Sequence, residues 1–147
     1  MAIDQEARKA ALDTLAAAPA ARLEMLWTAL GAAPAHRVVR GPETGLVMVR
    51  GRTGGGGNPF NLGEASVTRA TVRLETGEVG HSYTLGRDGE KAVNAALVDA
   101  LWQREPERIE AEILAPLRGD RASADSKRRD ETAATKVNFF TMVRGDD

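Results

Sequence analysis

Two runs of alternating residues, Ala65 to Leu74 and Val79 to Leu85, flank the tetrapeptide Glu75-Thr76-Gly77-Glu78. Side chains of a strand alternate between two faces, and a short glycine turn brings two such strands together as a hairpin. With Thr76-Gly77 as a two-residue turn, Leu74 faces Val79, Val72 faces His81, Ala70 faces Tyr83 and Thr68 faces Leu85. That face is largely apolar. The opposite face pairs Arg73 with Gly80, Thr71 with Ser82 and Arg69 with Thr84. A glycine bulge at Gly77 shifts the pairing by one residue and mixes the faces, so the two-residue turn is the expected register. It places His81 on the apolar side, as a satisfied core or interface histidine rather than a catalytic base.

The hairpin sits inside the stretch that organises the chain, Glu43 to Leu101. Before it, His36 to Arg40 reads as a short strand ended by Gly41-Pro42. Leu46 to Arg52 reads as a second strand with apolar residues on both faces, so it is expected to be central and covered on both sides. Thr53 to Glu64, with the run Gly54, Gly55, Gly56 and Gly57, reads as a loop. After the hairpin, Asp88 is an N-cap, and Val93, Ala96, Leu97, Ala100 and Leu101 form a helical stripe. Pro106 restarts the helix, and Ile109 to Leu114 carry the apolar pattern up to Pro116. Residues 118–131 are mixed-charge, either an exposed helix or a mobile segment.

The N-terminal part reads as two helices. Asp4 caps the first, with Ala7, Ala11 and Leu15 on one face. Pro19 opens the second, with Leu23, Leu26, Trp27 and Leu30 in a stripe and Gly31 closing it. They form a helical hairpin over 1–31, and their stripes cover a sheet or a partner. The end, VNFFTMVRGDD, carries adjacent phenylalanines that are costly to leave in water. Phe139, Phe140, Met142 and Arg144 are therefore interface candidates. The expected organisation is a single domain over 1–147: helices at 1–31, strands and glycine loop at 37–86, helices at 88–134, and a docking tail or strand at 135–147. The fold class is α+β, a small, mainly antiparallel sheet of about four strands flanked by N-terminal and C-terminal helices.

Composition narrows the functions. The 147 residues suit one domain. Apolar residues make up 42% and aromatics only 4%, so the core rests on Leu, Val and Ala. At about 25 cal/mol per Å² such a core is thin, and a partner that covers more apolar surface fits it. Net charge is −1, which supplies no basic field for a nucleic acid or an anionic membrane. Trp27 on an apolar helical stripe argues against a nucleic-acid module as well. The sequence has no cysteine, which rules out disulfides, thiolate zinc and cysteine-held iron–sulfur clusters within it. Its two histidines, His36 and His81, are too few for a metal site of its own. No apolar run is long enough to span a membrane, and the N-terminus lacks a signal core. A cytoplasmic protein is expected.

Two features invite chemistry. The glycine run frees backbone N–H groups to face an anion, but the phosphate-loop motif G-x-x-x-x-G-K-[ST] is absent, because Asn58-Pro59 follows Gly57. The run is either a connecting loop or a loop that wraps a ligand. The arginines are the second feature. Arg69 and Arg73 share a face with Gly80, Ser82 and Thr84, small residues that leave room above the sheet. Arg50 and Arg52 project from the neighbouring strand, and Arg87 precedes the helix that starts at Asp88. Guanidinium forks suit a triphosphate or a carboxylate-bearing partner. The plainer reading is a solvated face with salt bridges to Glu64 and Glu75. No Ser/His/Asp order and no paired carboxylates stand out.

Several segments carry a resemblance: TGLV, TRATVRL, TGEVGHSYTLGRD, the ALVDAL helix, ILAPL and the terminal FFTMVRGD. From about Glu43 to the end, and more loosely in the N-terminal helices, the chain resembles the G-subunit family (PhnG) of the bacterial carbon–phosphorus lyase system. The resemblance implies a subunit of a multi-protein core complex for phosphonate catabolism. That complex exchanges the adenine of ATP for a phosphonate, giving ribose 1-methylphosphonate 5-triphosphate. A larger sister subunit would carry the nucleosidase chemistry, and a separate radical enzyme would break the C–P bond. The implied partners are the other core subunits, with ATP as substrate of the complex and no cofactor held by this chain alone. The family carries a tyrosine where His81 stands, which argues against His81 as a catalyst. The competing expectation is a stand-alone nucleotide- or phosphate-binding protein that uses the glycine loop and the arginine face.

Overall fold

The computed structural model describes residues 3–52, 57 and 59–144, of which 52, 59, 61 and 135–144 are described as backbone only. The elements run α1 (Gln5–Ala17), α2 (Ala20–Leu30), β1 (His36–Arg52), β2 (Pro59–Leu74), β3 (Val79–Leu85), α3 (Gly89–Arg104), α4 (Pro106–Ile109), a π-helical turn (Glu110–Leu114) and α5 (Ala115–Arg144). The α+β class holds, with three antiparallel strands among the described residues, in the order β1-β2-β3, rather than about four. The expected break at Gly41-Pro42 is absorbed inside β1. Register shifts between Val38 and Arg40 and between Arg40 and Glu43 let one strand pass through it.

The expected central strand is an edge strand, and β2 takes the centre. β2 also begins at Pro59, so the second half of the expected loop is strand. β3 pairs only with Val67–Arg73. The remainder of β2 and its partners from Leu46 to Arg52 therefore extend as a two-stranded ribbon. Its apolar residues are exposed, not covered on both sides: Leu46, Met48, Val49, Phe60 and Leu62 all face solvent.

The hairpin register differs by one residue from the expected one. Gly77 adopts φ 109°. Its N–H donates to the Leu74 carbonyl (2.9 Å), while the Leu74 N–H donates to the Glu78 carbonyl (2.9 Å). This is a tight turn closed by a glycine bulge, and a positive φ at that position suits glycine. The pairs become Arg73 with Val79, Thr71 with His81, Arg69 with Tyr83 and Thr68 with Thr84. Gly80, Ser82 and Thr84 thus turn inward beside Ala70, Val72 and Leu74, and β3 alternates exposed and buried along its length. His81, expected on the apolar side, lies on the open face.

The inward face packs on α3. Its stripe of Ala92, Ala95, Ala96, Val98 and Ala100 is fully buried. Small residues on both surfaces let helix and sheet approach closely. The buried hydroxyls are satisfied: Ser82 Oγ donates to the Ala92 carbonyl (2.6 Å), and Thr68 Oγ1 donates to the Gly86 carbonyl (2.7 Å). On the far side of α3 the core is completed by Ala11, Leu15, Leu23, Ile109, Ile113, Leu114 and Leu117. The two N-terminal helices thus cover the domain's own core.

The sequence-read caps are in place. The Asp4 carboxylate accepts from the N–H groups of Glu6 and Ala7 (3.0 and 3.2 Å), and Asp88 accepts from the Lys91 N–H (3.0 Å). Gly31 closes α2 with φ 118°. Pro116 does not stop the helix. The Ala115 N–H bonds back to the Glu110 carbonyl, a widened turn just ahead of the proline. That turn relieves the clash a proline ring makes with the carbonyl four residues earlier. Residues 118–131 are exposed helix, and the backbone stays helical to Arg144, in place of the strand considered for the tail.

Lys91 is buried, and its Nζ donates to the Ala16 carbonyl (3.3 Å). This lies in the last turn of α1, where unpaired carbonyls favour a cation. Burial lowers its ammonium pKa below the usual lysine value, against the attraction of Asp88. Between the folded and unfolded values the unfolded chain binds more protons, so stability rises with pH. The gain is complete above the ordinary lysine pKa and is lost as pH falls through the folded value. Lys91→Met is expected to remove this rise. Urea midpoints of both proteins at about pH 8 and about pH 10.5 check it; parallel changes would contradict it.

Candidate functional site

Three strands with one face packed on α3 leave the other face open. By pairing, its rows are Arg37 with Arg73, then Arg40 with Thr71 and His81, then Glu43 with Arg69 and Tyr83. Four arginines stand there against one carboxylate. Arg69 Nη2 donates to Glu43 Oε1 (3.0 Å), and Arg40 Nε lies 3.5 Å from the same oxygen. Thr71 Oγ1 and His81 Nδ1 are 3.2 Å apart. These side chains, with Tyr83, border a shallow cavity of about 250 Å³. Arg37, Arg73 and the Tyr83 hydroxyl have no hydrogen-bond or ion-pair partner among the described residues.

Sequence reasoning named Arg69 and Arg73 on one face, and the structure keeps them there. The expected companions have left. Gly80, Ser82 and Thr84 face α3, and the room above them is filled by the helix. The arginines pair with neither Glu64 nor Glu75, and Glu43 takes the salt bridge. Arg50 lies on the ribbon opposite Asn61. By alternation from Glu43 it falls on the other side of the sheet from Arg69. Arg87 is exposed in the β3–α3 turn, away from the cavity lining. The Arg52 side chain and Gly54, Gly55 and Gly56 lie outside the described residues, whereas Gly57 is a partly exposed bend. The side chains of Phe139, Phe140, Met142 and Arg144 likewise lie outside them. Arg37, Arg40, Glu43 and His81 were missed. The bulge register would have brought His81 into the set, and β1 read as one strand would have added the others.

A second polar constellation closes the edge of β3. Asp99 is buried on α3. Its Oδ1 accepts from Arg8 Nε (3.1 Å), and its Oδ2 accepts from Arg8 Nη2 (2.8 Å) and from the His81 N–H (2.8 Å). One turn on, Gln103 Nε2 donates to the Val79 carbonyl (2.8 Å). Together they satisfy backbone groups that an edge strand would offer to another chain. The hydrogen bonds that Arg8 donates to Asp99 raise the Arg8 pKa above its ordinary value, against burial. The signal in the sequence was an aspartate inside an apolar helical stripe.

Among the described residues, no group of three or more His, Asp or Glu side chains is placed to hold a metal ion. No helix among them is long and apolar enough to cross a membrane. Fold and surface together define an α+β domain with one sheet face basic and open and an apolar ribbon exposed. The chain belongs to the PhnG family: the family model described as "Phosphonate metabolism protein PhnG" matches residues 6–145. The match takes in both N-terminal helices. A curated relative from Rhizobium meliloti (strain 1021), named alpha-D-ribose 1-methylphosphonate 5-triphosphate synthase subunit PhnG, is 53% identical over 141 residues. That similarity covers 95% of this chain and 90% of the relative.

Proposed function

We propose that this chain is a subunit of an α-D-ribose 1-methylphosphonate 5-triphosphate synthase. The assembly exchanges the adenine of ATP for a phosphonate, and this chain is inactive alone. The observation that carries the reading is the 53% identity, across nearly the whole chain, to a relative named as such a subunit. The surface supports it. Leu46, Met48, Phe60 and Leu62 on the ribbon, with Tyr83 and Leu85 on the open face, are large apolar side chains left exposed, and clustered exposed apolar groups are typical of interaction surfaces. Subunits of permanent assemblies bury such surface against one another. The partners are the other carbon–phosphorus lyase core subunits, the location is the cytoplasm, and ATP is a substrate of the complex. This chain brings no cofactor of its own.

Size-exclusion chromatography with light scattering tests the assembly, with the chain run alone and then co-expressed with the phosphonate-operon subunits. The expected result is a stable hetero-complex that releases adenine from ATP with a phosphonate present, and no release when this chain is omitted. A monomer that ignores those subunits and binds ATP by itself would instead support the stand-alone nucleotide-binding reading.

A further inference from the structure

We infer that the cavity bordered by Arg40, Glu43, Arg69, Thr71, His81 and Tyr83 is an exchangeable anion site. Its ligand class is the phosphate-type oxyanion, and the Glu43 carboxylate occupies it when no ligand is present. The inference rests on the subunit reading only for the source of the anion; the site itself is argued from geometry.

One carboxylate oxygen serves both guanidiniums, 3.0 Å from Arg69 and 3.5 Å from Arg40. An intramolecular carboxylate between two arginines is placed as a bound anion would be. All three side chains are substantially exposed, and such surface pairs contribute little, so Glu43 is readily displaced. It also leaves the face undercompensated, because Arg37 and Arg73 have no carboxylate of their own. A monocarboxylate ligand would merely repeat what Glu43 supplies. A phosphate or phosphonate brings up to two charges and three acceptor oxygens, enough for both guanidinium forks at once. The other donors are to hand. The Tyr83 hydroxyl is free, and Thr71 is paired only with His81 Nδ1, which leaves His81 Nε2 open among the described residues. A volume of about 250 Å³ has room for a phosphoryl or phosphonyl head.

The test is isothermal titration of the full chain at low salt with inorganic phosphate, methylphosphonate and tripolyphosphate, following the His81 ring resonances by NMR. Glu43→Gln is expected to tighten binding roughly threefold, since the competing charge is gone. Arg69→Gln is expected to weaken it roughly tenfold, and the His81 resonances should move on titration only where binding survives. Binding of all three probes marks a site for a single head group. Binding of tripolyphosphate alone, with the same response to both substitutions, marks a polyphosphate chain as the source. No binding by either the wild type or Glu43→Gln overturns the site, as does binding unchanged by Arg69→Gln. Both substitutions are on the surface, and circular dichroism confirms folding. If anion binding fails while the hetero-complex still forms, the site is wrong and the subunit reading stands.

Discussion

Replacing Asp99 with alanine is expected to lower the unfolding free energy of the chain by about 3–5 kcal/mol, the range for breaking a buried ion pair by removing one partner. The Asp99 side chain is fully buried and Arg8 is mostly so. The carboxylate holds three donors, two from the Arg8 fork and one from the His81 backbone. Its removal leaves a guanidinium partly out of water with no counter-charge. It also orphans an N–H at the edge of β3, a desolvation cost that adds to the lost pair. The consequence is mechanical as well. Asp99 is the point where α1, α3 and β3 meet, so all three loosen together. Asp99→Asn should cost less, because its amide oxygen still accepts from the His81 N–H. Arg8→Lys should fall between wild type and alanine, since a single ammonium cannot reproduce the fork. Urea denaturation reads this out as a lowered midpoint at constant slope. A loss below about 1 kcal/mol for Asp99→Ala would show that the pair is no better than a surface salt bridge.

The elements that local chemistry specifies were legible in the sequence. Asp4 and Asp88 had to be caps, because a side-chain oxygen before an apolar stripe satisfies amides the helix cannot. Gly31 had to end α2. Four of the five residues of the α3 stripe, Ala96, Leu97, Ala100 and Leu101, are buried, and burial spreads beyond the stripe to Ala92, Ala95, Val98 and Trp102 because α3 is packed on more than one side. What failed was each inference that needed a tertiary fact. Leu46 to Val49 carry apolar groups on both faces, which reads as burial, yet they stand on an exposed ribbon. Whether a strand with apolar groups on both faces lies at the centre or the edge of a sheet depends on which strands pair beside it, which no local pattern encodes. Gly41-Pro42 reads as a terminator, and β1 passes it by shifting register instead. The Arg8–Asp99 contact joins residues far apart in sequence and leaves only one oblique sign, a charge inside an apolar stripe.

The candidate site shows the same division. Arg69 and Arg73 were placed on a common face because residues two and four apart on a strand must share one. Their neighbours on β3 were misplaced because a single glycine conformation decides the register. Gly77 in a bulge turns His81 and Tyr83 toward the arginines and turns Gly80, Ser82 and Thr84 away. The small residues had been read as room for a ligand above the sheet; they are room for a helix below it. One backbone angle thus separates a site made of hydroxyls from a site made of an imidazole and a phenol.

That assignment of space is what Gly80→Ala tests. A Cβ at Gly80 would stand 2.0 Å from the Ala96 carbonyl oxygen, and 2.8 Å from both the Ala100 nitrogen and the Ala100 Cβ. Two of these are helix backbone, which has no rotamer to change, so α3 must withdraw as a body. Withdrawal opens the interface along Ala92, Ala96 and Ala100. It also stretches the bonds from Ser82 to Ala92, from His81 to Asp99 and from Gln103 to Val79. A loss of roughly 3 kcal/mol or more is expected, at the upper end of overpacking penalties because the obstructing atoms cannot step aside. Gly80→Val should prevent folding. Two controls separate this from a general intolerance of substituted glycines. Gly45 has nothing within 4 Å of a built Cβ, so Gly45→Ala should be nearly neutral. Gly119 is equally open and lies in α5, so Gly119→Ala should stabilise by about 0.5–1 kcal/mol through helix propensity. Urea midpoints of the three variants should therefore span both signs. If Gly80→Ala ranked beside Gly45→Ala, β3 would not be seated against α3 with its glycine inward. The register that sets His81 and Tyr83 among the arginines would fall with it.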